Sequence, residues 1–274
     1  MAFVQSAIAF GAYVFPAGFR LEGLQDDATI DEVKIPFLDG TSAPPGTRGS
    51  KKINVSGTIG GFGAVDSSGN LILTRDQAEN EAQLMRSYLA SGYQKLTAGY
   101  TPARYIYAQL QKFTTAPVQY AGRLALGVKL TFLAQDPRWL ASAAASVNLP
   151  VGVSENVANN GTALTYPLVT INGPLTNPYL QITPAGASGY IEDAFAVTLA
   201  STDQLVVDCD PRNRANAVLL NGAPRLDLLG TTGITNTVGD SAPFPYLRVG
   251  VNTALVSAAS GTGASTIAWN DAWL

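Results

Sequence analysis

Cys209 stands between two carboxylates in the stretch "VVDCDPRN". The thiolate is the nucleophilic form of cysteine, and flanking negative charge disfavours it. The chain has no histidine, so neither a Cys-His pair nor a Ser-His-Asp triad can form, and histidine-ligated zinc is excluded. A structural thiol at a strand end is the reading these neighbours support. Asp208 and Asp210 make an Asp-x-Asp, which a calcium site could use, but calcium takes about six to eight oxygens. Arg212 and Arg214 follow immediately, which favours an ion-paired turn. Asp26-Asp27 and Asp31-Glu32 could be offered as acid catalysts, yet adjacent residues on a strand point to opposite faces. Nothing sets the separation that paired glycosidase carboxylates need. No catalytic residue, cofactor or metal ligand is expected, and the chain does not read as an enzyme.

The elements around these residues are mostly strands. In "GRLALGVKLTFLAQ" (122–135), Leu124, Leu126, Val128, Leu130 and Phe132 face one way, and Arg123, Lys129 and Thr131 face the other. Strict alternation of this kind is a half-buried strand. "ARYIYAQLQKF" (103–113) alternates similarly, with Ile106, Ala108 and Leu110 on one face and Tyr105, Tyr107, Gln109 and Gln111 on the other. Strands are also expected over 30–38 and 53–59. Between and after these lie two long Gly-rich stretches, "DGTSAPPGTRGS" (39–50) and "GTIGGFGAVDSSGN" (57–70), and loops of that length are often functional or interfacial. One helix is expected, over about 75–91. Thr74 and Gln77 form a capping box, and Ala78, Ala82, Met85 and Leu89 make an apolar stripe with Leu84 and Tyr88 beside it. Arg75, Asp76, Glu79, Asn80, Glu81 and Arg86 fall off that stripe, and Gly92 marks its end.

At "AQDPRWL" the strand pattern stops. Pro137 has no N–H for a ladder, and it restricts Asp136 to extended or turn conformations. Trp139 carries too much apolar area to stay wet, so it should fold back onto the preceding domain. "ASAAAS" (141–146) has the composition of a linker. Asp136, Pro137 and Trp139 therefore read as boundary packing between a domain over 1–140 and another over 147–274. The second half holds some eight short segments, such as "YPLVTING", "PYLQITP", "AFAVTLA", "DQLVVDCD", "PYLRVG" and "STIAWN", separated by Gly, Pro and Asn turns. That spacing indicates an antiparallel β-sandwich.

Composition limits the partners. Charged residues are 14% of the 274 and the formal net charge is −3, with no basic run beyond "SKK". Nucleic-acid sequence recognition has no electrostatic support. Low charge with ample apolar material suggests surface that other subunits cover. The lone Cys209 permits no internal disulfide and fits assembly in a reducing cytosol. The first 19 residues carry no charge and read as an N-terminal strand pair rather than a signal peptide. No stretch is apolar and long enough for a membrane helix.

"AQDPRWL", "NNGTALTYPLVTINGPLTNPYLQI" (159–182), "DQLVVDCDPRNRANAVLLNG" (203–222), "PFPYLRVGVNTAL" (243–255) and "STIAWNDAWL" (265–274) occur in this order. Together they resemble landmarks of the distal tail protein (Dit) family of long-tailed bacteriophages. The resemblance implies a split-barrel-like N-terminal domain that closes into a hexameric ring. It also implies a galectin-like β-sandwich outside that ring. It further implies a structural adaptor at the distal end of the virion tail, between the tail tube protein and the tail-tip hub protein, with receptor-binding or tail-fibre proteins attached. The ring interface is expected in 36–50 and 57–73, with Phe37, Leu38, Arg48, Lys51, Phe62 and Leu71 as contact residues. A glycan- or cell-wall-binding module is the alternative. Galectin sugar sites use a His-Asn-Arg set and a Trp followed by Gly-x-Glu. Here histidine is absent and Trp269 precedes Asn270-Asp271, so the sugar site does not carry over. Trp139, Trp269 and Trp273 are expected in core or edge packing.

Overall fold

The computed structural model describes residues 8–16, 18–26, 33–34, 41–42, 50–60, 74–98, 103–120, 123–239 and 244–274. Those residues are mainly β with a single α-helix. The chain divides into two compact units, Met1–Trp139 and Leu140–Leu274.

The first unit contains β1 (Ala9–Phe10), β2 (Tyr13–Val14), β3 (Arg20–Asp26), the short pair β4 (Val33–Lys34) and β5 (Thr41–Ser42), β6 (Lys51–Gly60), α1 (Arg75–Leu89), β7 (Gln94–Ala98), β8 (Arg104–Tyr120) and β9 (Arg123–Ala134). Its main sheet runs β2-β1-β7-β8-β9-β6-β3. The alternation read in β9 sets its register. Leu130 lies opposite Val55 on β6 and Phe113 on β8, and Phe132 lies opposite Ile53 and Leu110. Leu126, Val128, Leu130 and Phe132 are buried, whereas Lys129 on the other face is exposed. Phe132 packs against Phe10 at 4.9 Å between ring centroids and edge-on against Phe15 at 6.4 Å. Residues 8–16 of the uncharged N-terminal segment thus enter this core through the β1–β2 hairpin.

An isolated helix of this length is marginal in water, so α1 depends on the sheet it covers. Thr74 Oγ1 accepts from Gln77 N at 3.2 Å, and Gln77 Oε1 accepts from Thr74 N at 2.9 Å. Ala78, Ala82, Met85 and Leu89 are buried, and a fully buried Met or Leu contributes about 1.5–3 kcal/mol. Three side chains depart from the expected stripe. Glu81 is buried with it, while Leu84 and Tyr88 stay largely exposed. Tyr88 nevertheless stacks on Tyr13 at 5.5 Å.

β8 is longer than the sequence pattern indicates, reaching Tyr120. Its second half keeps pairing with β9, but 114–118 is exposed on both faces, so no apolar alternation marks it. A bulge between Leu110 and Lys112 inserts Gln111. Tyr105 is also buried despite facing away from Ile106.

β10 (Trp139–Ala141) spans the division between the units. The second unit continues with β11 (Ala145–Pro150), β12 (Ser154–Asn159), β13 (Leu168–Asn172), β14 (Leu175–Thr176), β15 (Tyr179–Thr183), β16 (Ile191–Phe195), β17 (Thr198–Leu199), β18 (Gln204–Asp208), β19 (Val218–Leu220), β20 (Ala223–Pro224), β21 (Leu229–Asn236), β22 (Gly250–Ser257), β23 (Ser260–Gly261), β24 (Ala264–Trp269) and β25 (Ala272–Trp273). One sheet runs β11-β24-β13-β18-β19-β20 and the other β12-β22-β15-β16-β21, with a small β17-β14-β23 sheet beside them. Leu149, Val169, Ile171, Leu205, Val207 and Ile267 from the first meet Val157, Leu180, Ile182, Phe195, Ala254 and Val256 from the second in one core. This is a β-sandwich. The segment read as a linker, 141–146, is half strand: Ala141 ends β10, 142–143 form a bend, and Ala145 already pairs with Trp269. Ala and Ser are small enough to sit at a strand start without an apolar signal.

Candidate functional site

The "DPRW" turn closes on itself. Asp136 Oδ1 accepts from Arg138 N at 3.1 Å and Nε at 2.9 Å, and Oδ2 accepts from Arg138 Nη2 at 2.8 Å. Both side chains are only 11% exposed, so this bidentate pair is better shielded than a surface ion pair. Before it, Gln135 N donates to the Tyr93 hydroxyl at 2.6 Å. Pro137 lies between the partners, half-buried, and Trp139 is 2% exposed at the end of the first unit.

The Asn-Gly turns of the second unit also have specific work. Asn159 donates to Ala163 O at 2.8 Å and accepts from Gly161 N at 3.0 Å. Thr162 N and Ala163 N both reach Ala272 O, at 2.8 and 2.9 Å. That approach is close enough that a Cβ on Gly161 would lie 1.9 Å from Ala272 O, so only glycine fits. Asp271 Oδ1 accepts from Asn160 N and from Trp269 Nε1, each at 3.1 Å. The "NNG" and "WND" motifs are therefore two halves of one clasp on the closing strand. Asn221 and Gly222 both have positive φ, 50° and 80°, as a tight β19–β20 hairpin requires. Asn221 also donates to Asp203 at 2.9 Å, which with the Ala200 amide holds that carboxyl below its usual range.

The residues with chemical potential are used structurally. Cys209 is fully buried, and burial, then the charges of Asp193, Asp208 and Asp210, push its thiol well above the ordinary value. Asp210 pairs with Arg212, and Asp208 accepts from Asn213 Nδ2 at 2.7 Å. Among the described residues no cluster of three or more His, Cys, Asp or Glu could hold a metal, and no helix is long and apolar enough to cross a membrane. Trp139 and Trp269 are buried, and Trp273 is half-buried, so the first two offer no open face to a sugar ring. Asp26-Asp27 and Asp31-Glu32 do not come together as a described site: Asp26 pairs with Lys51 across β3–β6, and 27–32 lies outside the described residues.

Phe37, Leu38, Arg48, Phe62 and Leu71 likewise lie outside the described residues, as does most of 36–50 and 57–73. Lys51 is 2% exposed and shares the inner face of β6 with Ile53 and Val55, opposite Ala134. The described residues bring a different surface into view. β3 ends the main sheet on one side. On the other side, among the described residues, β7 pairs with β8 over 104–108, and the further strand that pairs with β8 besides β7 and β9 is β10. Among the described residues, β3 and the exposed stretch of β8 over 114–118 are thus two unlike strand edges, each with backbone groups able to pair with another chain.

No protein-family model matches the chain, and no curated protein matches it. Among solved structures, the crystal structure of the SPP1 Dit protein, described as a paradigm of the hub adsorption apparatus in phages infecting Gram-positive hosts, aligns over 98% of this chain and 99% of its own, with a TM-score of 0.64 and 17% identity. This chain is similar in fold to SPP1 Dit. Structures of the phage P2 baseplate in its activated conformation with Ca and with Sr cover 96% of this chain and 90% of theirs. Their TM-scores are 0.37 and 0.38 at 11% identity, too low to add to the likeness with SPP1 Dit.

Two residues that matter structurally were not singled out by sequence reading. Asn252 is 1% exposed and fills five hydrogen bonds, and Asp193 is 0% exposed in the sandwich core. The alternation Ile191, Asp193, Phe195 carried the signal for Asp193, because an acid in that series must point inward.

Proposed function

We propose that this chain is a distal tail protein, a structural component at the distal end of a phage tail. Six copies of its N-terminal unit close into a ring that joins the tail tube protein to the tail-tip hub protein. Receptor-binding or tail-fibre proteins attach to that assembly. The observation that carries this reading is the fold likeness to SPP1 Dit, which runs through both units and nearly the whole of both chains. The sheet supports it physically. Two unlike edges, β3 and the outer half of β8, suit a head-to-tail contact in which every copy uses both, and such a contact generates a ring when its rotation closes. Pro117 on β8 fits an edge strand, where a missing N–H is tolerated. The segments 36–50 and 57–73 remain candidates for the same interface.

Cross-linking tests the edge contact. Glu22 on β3 and Ala116 on β8 are exposed, and the only native thiol is buried. With Glu22→Cys and Ala116→Cys in one chain carrying Cys209→Ser, a short bis-maleimide should yield a ladder of cross-linked copies that ends at six. Either single-cysteine chain should give no ladder. A doubly substituted chain that assembles, by electron microscopy, but never cross-links beyond background would refute the edge assignment. Failure to assemble under tail-forming conditions would refute the ring.

A further inference from the structure

The second unit buries a carboxyl group without a partner. Asp193 is 0% exposed, and among the described residues neither of its oxygens has a hydrogen bond. It lies on β16 between Ile191 and Phe195, opposite Leu180 on β15 and Ile234 on β21. Cys209, at the end of β18, is the titratable group that faces it from the other sheet, and Asp193 raises that thiol in turn. Glu192 is its sequence neighbour and accepts from Gln181 Nε2 at 3.2 Å on the opposite face. Among the described residues no cation offsets these groups: burial first, then Glu192, push the Asp193 carboxyl up to about 8.

The β16–β21 ladder breaks immediately beside this carboxyl. Asp193 pairs with Ile234, but Phe195 pairs with Leu229, so the register shifts between Asp193 and Phe195. Among the described residues, β21 is the last strand in its sheet and pairs with β16 alone. An ionised carboxylate in an apolar core without a partner is costly. The lowest-energy route to water is local opening of the weakest adjoining element, which is an edge strand with an interrupted ladder.

We propose that Asp193 is a proton-controlled latch on β21: the neutral carboxyl leaves the edge strand docked, and ionisation releases it at the register shift between Asp193 and Phe195. This inference concerns the sandwich alone and does not rest on the tail assignment.

Hydrogen exchange of the full chain at several pH values between 5 and 8, corrected for intrinsic exchange, reads the latch directly. Opening delivers Asp193 to water, where it ionises normally, so the opening constant should rise about tenfold per pH unit in that window. Protection across β21 should fall accordingly while staying well below that of β13 and β24, which open only when the whole unit unfolds. Asp193→Asn, which cannot ionise, should flatten the β21 profile. A wild-type β21 profile that does not change with pH overturns the proposal, as does β21 protection equal to that of β13 and β24 at every pH, which would report opening by global unfolding alone. The wild-type series decides the matter even if the Asn variant does not fold.

Discussion

Asn252 should be among the most expensive side chains to remove from the second unit. It sits on β22 opposite Val157 of β12, 1% exposed. Its Oδ1 accepts from Arg248 N at 2.8 Å and Ala185 N at 2.9 Å. Its Nδ2 donates to Arg248 O at 2.9 Å, Gly250 O at 3.0 Å and Val157 O at 3.1 Å. One amide therefore ties β12, the turn after β15 and the 248–250 turn together. Asn252→Ala orphans two backbone N–H groups, and an unsatisfied buried donor costs about 1–3 kcal/mol. The carbonyls suffer less, since each keeps a lone pair for other donors. The sum is about 2–6 kcal/mol, and the partial exposure of the 248–250 turn admits some water, so we expect about 3 kcal/mol. With a urea m-value of about 2 kcal/mol/M, the midpoint of the second unit should drop by roughly 1.5 M. Tryptophan fluorescence follows it, because Trp269 and Trp273 lie in that unit. Asn156→Ala, on the exposed face of β12, is the control and should stay within about 0.5 kcal/mol. If Asn252→Ala matches the control, the side chain does not organise these turns and the reasoning is wrong.

Other consequences can be measured in the same way. Thr74→Ala removes the cap of α1 and should cost about 1 kcal/mol in a thermal or urea melt of the first unit, whereas Thr74→Ser should retain most of it. Asp193 has a folded pKa of about 8 against an ordinary 3.8, so between these values the folded chain holds a proton that the unfolded chain has lost. Stability of the second unit should therefore fall with rising pH by about 1.4 kcal/mol per unit relative to Asp193→Asn, levelling above pH 8. Urea melts of both proteins at pH 5, 6, 7 and 8 give the difference, and parallel curves would exclude a buried neutral acid.

Legibility in the sequence followed the size of each local signal. β9 alternates over its whole length, and α1 has a capping box and a four-residue stripe, so both were readable at residue level. Glu81 was not, because a charged residue at the margin of a stripe gives no sign of its own burial. β11 and β12, "ASVNLP" and "SENVAN", are too polar to stand out, since each bears one fully buried apolar residue and takes its place from cross-strand pairing. "AFAVTLA" and "PYLRVG" read as strands but are not continuous ones. β16 stops at Phe195, and only Thr198–Leu199 resumes pairing, with β14. Leu247 makes an isolated bridge to Thr165 because Asn252 folds 248–250 into a turn. The motif order pointed to the architecture, yet the strand edges became visible only from the pairing itself. No single-strand pattern shows where β7 stops covering β8.

The proposed tail role is tested most directly by cryo-electron microscopy of the assembled particle. The expected density is a closed ring of six copies of this chain between the last tube ring and the hub, with β3 of one copy hydrogen-bonded through its backbone to β8 of the next. Density for the chain elsewhere in the particle, or its absence from the particle, would contradict it.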